Sequence, residues 1–599
     1  MKTSITTLHT LLVAALMLLP LAGQAQEISE SAKQQIEALL AEKESRSPAE
    51  RKMDSQLIYL AAQEQGLPVA NGVLSLDLAL EVDADNRVLV DIAGTVSAAL
   101  TDAITQAGGE VVNQFAPFGA IRARVPVSDV ESLAGRADVS SIGPAAEAIT
   151  NVGSALSQGD RTHRADTARV NTRATGSGIK IGVLSDGVNS LAKSKLNGNL
   201  NASASFLPGQ AGSGDEGTAM MELIQDLVPD AQLIFATAFG GNASFANNIL
   251  ALQAAGCSII VDDVTYFNES PFQDQIISQA VNTVSAAGVL FFSSAGNSGN
   301  KNDNTSGTWE GDFVSGGAVA APVTGTGNLL NFGGGTTFNT VAAGGNSRRV
   351  DLFWADPDLA STNDYDLFVL DSAGTTVLRS STNLQTGTQS PYEAVNTLNV
   401  GERIVVVQRP GAANRFLQLT TGRAVLTLST NGVIRGHNAS GAANAFCVAA
   451  TNVANSPSPN FFVGGATNPV ETFSSDGPRR IFFQPDGSPI TPGDFSSAGG
   501  QVLAKPDITA ADGTTTSVAG FTTFFGTSAA APHAAAIAAL LKSYNASLTP
   551  AQIRTAMTST ALDIEAPGND RDSGAGIVMA LAAINSVPAP NSVISGTPL

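Results

Sequence analysis

Gly526-Thr527-Ser528-Ala529-Ala530-Ala531-Pro532-His533 opens an Ala-rich run, Ala534 to Lys542, and reads as a serine held at the N-terminus of a buried helix. The small residues at 529–531 and 534–536 let such a helix pack closely against its neighbours. Pro532 is expected in the first turn, where backbone N–H groups have no intrahelical partner. Ser528 then sits where free N–H groups and the positive end of the helix dipole converge. A serine there can attack a carbonyl while its own N–H helps hold the developing oxyanion. By itself Gly-Thr-Ser is also an ordinary loop and helix cap, so the rest of the chain has to decide.

Composition is that of a globular chain of several domains: 599 residues, 43% hydrophobic and 14% charged, with 59 Gly and 27 Pro for turns. A formal charge of -20 and a pI near 4.6 exclude nucleic acid and an anionic membrane surface as partners, since both need a basic footprint. Residues 1–25 have a cationic start at Lys2, an apolar run from Leu11 to Leu21 and small residues at Gly23 and Ala25, the pattern of a secretory signal. No later stretch is apolar and long enough to span a bilayer, so a secreted, extracellular or periplasmic protein is expected. Cys257 and Cys447 lie beside apolar runs and read either as two buried thiols or as one disulfide.

Residues 26–73 read as an exposed helical preface, from the spacing of Ile36, Leu39 and Leu40 and of Met53, Leu57, Ile58 and Leu60. Residues 74–150 read as a small α+β domain, strand-helix-strand-helix-strand. Residues 151–175, polar and Arg-containing, read as a linker with a processing site. From 176 to 325 short apolar strands alternate with helices, and the same grammar returns at 431–587, giving a doubly wound parallel sheet. Between them, 326–430 reads as an inserted β-sandwich, and 588–599 as a tail. In the insert, Asp356, Asp358, Asn363, Asp364 and Asp366 offer oxygen ligands for a structural calcium, or equally polar turns. No cofactor is required for the chemistry.

Asp186 and Asn297 fall just past strand ends, where ligands bind in such sheets, and Glu216 opens a helix. Ile181 to Val188 resembles the aspartate motif of subtilisin-like serine peptidases, Leu290 to Gly299 their oxyanion-asparagine strand, and Gly526 to His533 their nucleophile motif, in the family's order. The resemblance covers roughly Asp160 to Ile584 apart from the insert, and residues 74–146 are similar to the inhibitory propeptides of that family. It implies protein or peptide substrates and an intramolecular inhibitor.

One motif departs. Where the family has His-Gly-Thr, this chain has Glu216-Gly217-Thr218, which resembles the sedolisins, in which glutamate replaces histidine. The sedolisin aspartate four residues on is Met220 here, and the oxyanion position keeps Asn297 rather than aspartate. Of four histidines, His9 leaves with the signal, His163 lies in the linker, His533 is turned away from Ser528, and no motif places His437 at the site. The expected machinery is therefore Ser528 as nucleophile, Glu216 as general base, Asp186 as its partner, and the Ser528 N–H with Asn297 as oxyanion donors. Burial or a second carboxyl has to raise one apparent pKa of such a pair, and an acid-shifted optimum follows. Asp262 and Asp263 end a strand that resembles the family's substrate-binding strand, and read as substrate-binding, proton-sharing or structural carboxylates. The alternative is an exported pseudopeptidase that binds partners through the β-sandwich.

Overall fold

The computed structural model describes residues 29–78, 80–146, 148–149, 158–319, 327–344, 348–457 and 460–590. The expected signal, the end of the tail and linker residues 151–157 lie outside them.

α1 (Glu30–Ser45) is capped by Ser29, whose Oγ accepts the Ala32 N–H at 3.2 Å. Its residues Ala32, Ile36, Leu39, Leu40 and Lys43 recur at helical spacing and are all buried. α1 is thus no exposed preface, because its apolar stripe is covered by the β-sandwich insert. α2 (Ser55–Glu64) turns Tyr59 into that same core but packs mainly on the α+β unit, where Met53, Leu57 and Leu60 share a core with Val88, Val90 and Ile92. That unit has four antiparallel strands, in spatial order Glu110–Phe115, Ala120–Pro126, Arg87–Gly94, Val139–Pro144. The Glu110–Phe115 strand is the one the apolar pattern does not announce; it is an edge strand with no fully buried side chain.

After a short strand β1 (Ala148–Ile149) the chain enters a seven-stranded sheet. Its members are β2 (Lys180–Ser185), β3 (Ser205–Phe206), β4 (Gln232–Thr237), β5 (Ile259–Asp262), β7 (Leu290–Ser294), β8 (Ala445–Asn452) and β9 (Ile508–Asp512), while β6 (Thr265–Tyr266) pairs separately with β1. The spatial order is β9-β8-β7-β5-β2-β4-β3, parallel throughout. Both faces are covered, which is why the strands read as unbroken apolar runs. On one face α3 (Glu216–Leu227) and α4 (Thr527–Tyr544) share a core with Ile181, Val183, Ile259 and Val261. On the other, the helices Asn242–Ala254 and Ile276–Ala286 pack on Leu184, Ile260 and Phe291.

Four features differ from expectation. The sandwich begins at Thr308 rather than 326, because Thr308–Asp312 pairs with Phe416–Gly422. The linker is folded from Gly159 onward, with helices at Gly159–Thr162 and Ala165–Thr172, and His163 is fully buried. Pro532 is the sixth residue of α4, in its second turn, so the N–H that would bond the Ser528 carbonyl is missing. The carboxylates proposed for calcium are met by the chain's own groups. Asp364 and Asp366 accept from Lys43 at 2.8 and 2.7 Å, and Asp356 accepts from Arg415 and Asn363 at 2.7 and 2.8 Å. Asp358 joins neither group, and among the described residues no three His, Cys, Asp or Glu side chains are arranged to hold a metal ion. Cys257 and Cys447 are both buried and unbonded.

Candidate active site

Glu216 is the first residue of α3 and Ser528 the second of α4, two helices that pack together on one face of the sheet; both side chains are fully buried. Asp186 follows β2. Its Oδ1 accepts the N–H groups of Gly187 and, at 3.2 Å, Gly217, so it holds the start of α3 as a backbone cap. Gly214, at φ +119, makes room for it, since a Cβ there would lie 1.9 Å from Asp186 Oδ2. Burial raises the Asp186 pKa, and the N–H donors of Gly217, Gly187 and Glu216 oppose the rise.

The carboxyl that meets the Glu216 side chain is Asp263. Along β5, Ile259 and Val261 face the α3/α4 core and Ile260 faces away, so the alternation turns Asp262 away and Asp263 toward Glu216. Burial, then the charge and hydrogen bond of Glu216, then the charge of Asp186 push the Asp263 carboxyl well above the usual range, against a hydrogen bond from Ser185. Glu216 and Asp263 thus form one buried carboxyl pair, in which Asp263 holds its proton to higher pH than an ordinary carboxyl. The partner expected for Glu216, Asp186, is occupied with backbone donors instead.

Asp262 accepts from Ser293 Oγ at 3.0 Å and meets His437 Nε2 at 3.2 Å, while His437 Nδ1 bonds Glu269. Burial opposes a charge on His437, but Glu269 and Asp262 outweigh it and push the imidazole up to about 10. A histidine already protonated cannot take the Ser528 proton, and its side of the sheet is not that of Ser528. His533 Nδ1 donates to the Ala529 carbonyl at 2.6 Å, and His163 accepts the Ala511 N–H at Nε2, so its Nδ1 donates to the Val578 carbonyl. Both are structural.

Asn297 is half-buried beside the start of α4. Its Oδ1 accepts from the Thr527 N–H and Oγ1 at 3.0 and 2.9 Å, and Thr527 Oγ1 accepts the Gly296 N–H at 3.0 Å. The amide orientation is thereby fixed, with Oδ1 toward Thr527 and Nδ2 as the donor end. Two contributors escaped the sequence. Asp512, at the end of β9, accepts the Gly526 N–H at 2.9 Å and so holds the loop that leads into Ser528. Arg423, in the turn after the Phe416–Gly422 strand of the insert, has Glu216 as its electrostatic partner. Nothing short of the fold could connect a sandwich turn with a helix start 207 positions earlier.

The model of the Subtilase family matches residues 176–576, a span that contains Asp186, Glu216, Asp263, Asn297 and Ser528. The chain belongs to the subtilase family. Among solved structures, this subtilase is similar to fervidolysin from Fervidobacterium pennivorans, described as a keratinolytic enzyme related to subtilisin, at 13% identity and a TM-score of 0.39. The alignment covers 86% of this chain and spans 64% of the length of fervidolysin. It is also similar to the CspB protease of Clostridium perfringens, at 12% identity and a TM-score of 0.44, over 71% of this chain and 96% of that one. No curated protein sequence matches it. Among its described residues no helix is long and apolar enough to cross a membrane.

The buried titratable groups set how this subtilase responds to pH. Burial pushes Asp476 and Glu310 up to about 7. A carboxyl with a raised folded pKa contributes stability that is present below its unfolded value and lost as pH rises through its folded one. His437 has the same sign, its contribution fading as pH rises toward 10. His163 and His533, pulled down by burial to about 3 and about 4, act oppositely, but only below their ordinary value of 6.5. The melting temperature is therefore expected to rise as pH falls from about 8 to about 6.5. A scan showing it falling over that interval would contradict these assignments.

Proposed function

We propose that this subtilase is an exported serine endopeptidase that uses Glu216 as general base, made as a precursor with residues 74–150 as its inhibitor. The observation that carries the proposal is the buried Glu216–Asp263 pair on the sheet face where Ser528 stands in the first turn of α4. One proton shared by two carboxyls leaves one oxygen set as base and fixes the other as acid. Ser528 Oγ attacks the peptide carbonyl and passes its proton to Glu216; the Ser528 N–H and Asn297 Nδ2 receive the oxyanion. Glu216 then protonates the leaving amine, and water releases the acyl group by the reverse sequence. Asp186 anchors the helix start that carries Glu216, and Asp263 keeps the pair's proton. A carboxyl base of this kind works best on the acidic side of the range typical of histidine bases.

The precursor reading is supported by β1, which pairs antiparallel with β6 in the register Ile149 with Thr265 and Ala148 with Tyr266. This is how an extended peptide is held for recognition on a strand edge. The bond to be cut then falls shortly after Ile149. Full-length wild type is expected to give two fragments on a denaturing gel, cut within residues 150–157, and Ser528→Ala none. The same fragments from both proteins would sink the proposal and favour the pseudopeptidase, for which the missing motif histidine speaks.

A further inference from the structure

We infer that the inserted β-sandwich is the receptor for α1, so that the N-terminal segment is held at two sites and stays bound after the chain is cut. The inference rests on the precursor reading for its biological setting, though not for its test.

The strands Tyr365–Leu370 and Arg403–Gln408 pair antiparallel and are apolar on both faces. Leu367, Val369, Ile404 and Val406 point into the sandwich. Phe368, Leu370, Val405 and Val407 point out of it, into a core shared with Ile36, Leu39 and Leu40 of α1. Without α1, this outer face would be a broad exposed apolar patch, a liability unless something is built to cover it. The polar contacts specify what covers it. Asp366 lies on the same outward face by strand alternation and is fully buried, and with Asp364 it receives the fully buried Lys43 ammonium. Arg46, just past α1, donates to the Thr382 carbonyl at 2.7 Å, and Gln56 Nε2 to the Ala394 carbonyl at 2.9 Å. An apolar helix stripe ending in a buried cation, set against an apolar face ending in two carboxylates, is a helix-in-groove recognition site with its own charge code.

The α+β unit reaches the peptidase elsewhere, through Asn113 Nδ2 to the Gly240 carbonyl at 3.0 Å and Arg122 beside Gly241. Two separate docking sites on one fragment make rebinding at either site intramolecular while the other holds. A cut near residue 150 then breaks the chain without freeing the site, and the sandwich has a role in keeping the enzyme latent.

The test uses the full chain carrying Ser528→Ala, with a recognition sequence for an added protease placed in residues 151–157. After nicking and dilution, the N-terminal fragment is expected to co-elute with the remainder on size exclusion. Lys43→Met, which removes the ammonium that both Asp364 and the buried Asp366 accept from, is expected to speed its loss about a hundredfold. The double variant Lys43→Met, Asp366→Leu is expected to recover much of the retention, and Gln34→Ala, on the exposed side of α1, to behave as the parent. Each protein is first shown to melt cooperatively before nicking. A fragment lost at once from the parent, or retained equally by parent and Lys43→Met, would overturn the inference. Because the cut is made by the added protease, failure of wild type to cleave itself would count against the peptidase proposal alone.

Discussion

Glu216→Gln is expected to lower kcat for peptide hydrolysis by about 10^4 or more, close to the Ser528→Ala blank. Glutamine has the same shape and can still accept a hydrogen bond from Asp263, so the fold and the carboxyl pair's geometry survive, but the amide cannot take a proton. If Glu216 receives the Ser528 proton, the loss falls on kcat, and KM moves little, because the group acts only after substrate is seated. Active-site titration with a serine-reactive phosphonate would show the same collapse in rate. A variant within tenfold of wild type would remove Glu216 from the base position. His437 could not replace it, being held as a cation by Glu269 and Asp262, so Asp263 would be the next group to test.

The sequence made the sheet, the order of the motifs and the identities of Asp186, Glu216, Asn297 and Ser528 legible, because each lies within a short run whose pattern is local: an apolar strand and the residue just beyond it, or a helix and its first turn. It could not assign roles that depend on which way a side chain points. Asp262 and Asp263 are adjacent and chemically alike, and only the strand's orientation in the sheet sends one to His437 and the other to Glu216. The misjudged preface has a similar cause. Tyr365–Leu370 and Arg403–Gln408 read as apolar strands, which already implies cover on both faces, but nothing near them in sequence says that the cover is a helix more than 300 residues earlier, as the Lys43 to Asp364 separation of 321 records. Arg423 and Asp512 stayed hidden for the same reason: single charged residues in turns and at strand ends carry no periodicity.

Asp263→Asn gives the sharpest test of the shared proton. The Asp263 carboxyl is raised well above its usual range by burial and by Glu216, and in the proposed mechanism the working pair carries one proton and one negative charge. Below the lower apparent pKa of the pair both groups are protonated and no base remains; above the upper one both ionise, and two buried like charges disrupt the site. Wild type is therefore expected to show a bell-shaped pH dependence of kcat/KM. Asparagine cannot ionise, so the alkaline fall should disappear in the variant while the acid fall, which belongs to Glu216, remains. The rate at the wild-type optimum should drop about a hundredfold, since the amide neither supplies nor stores a proton. A loss of rate with both limbs unchanged would mean that Asp263 only positions Glu216 and that the alkaline limb belongs to another group. Loss of the alkaline limb alone, with the serine still required, would tie that titration to the carboxyl pair, a result that a merely structural Asp263 would not produce.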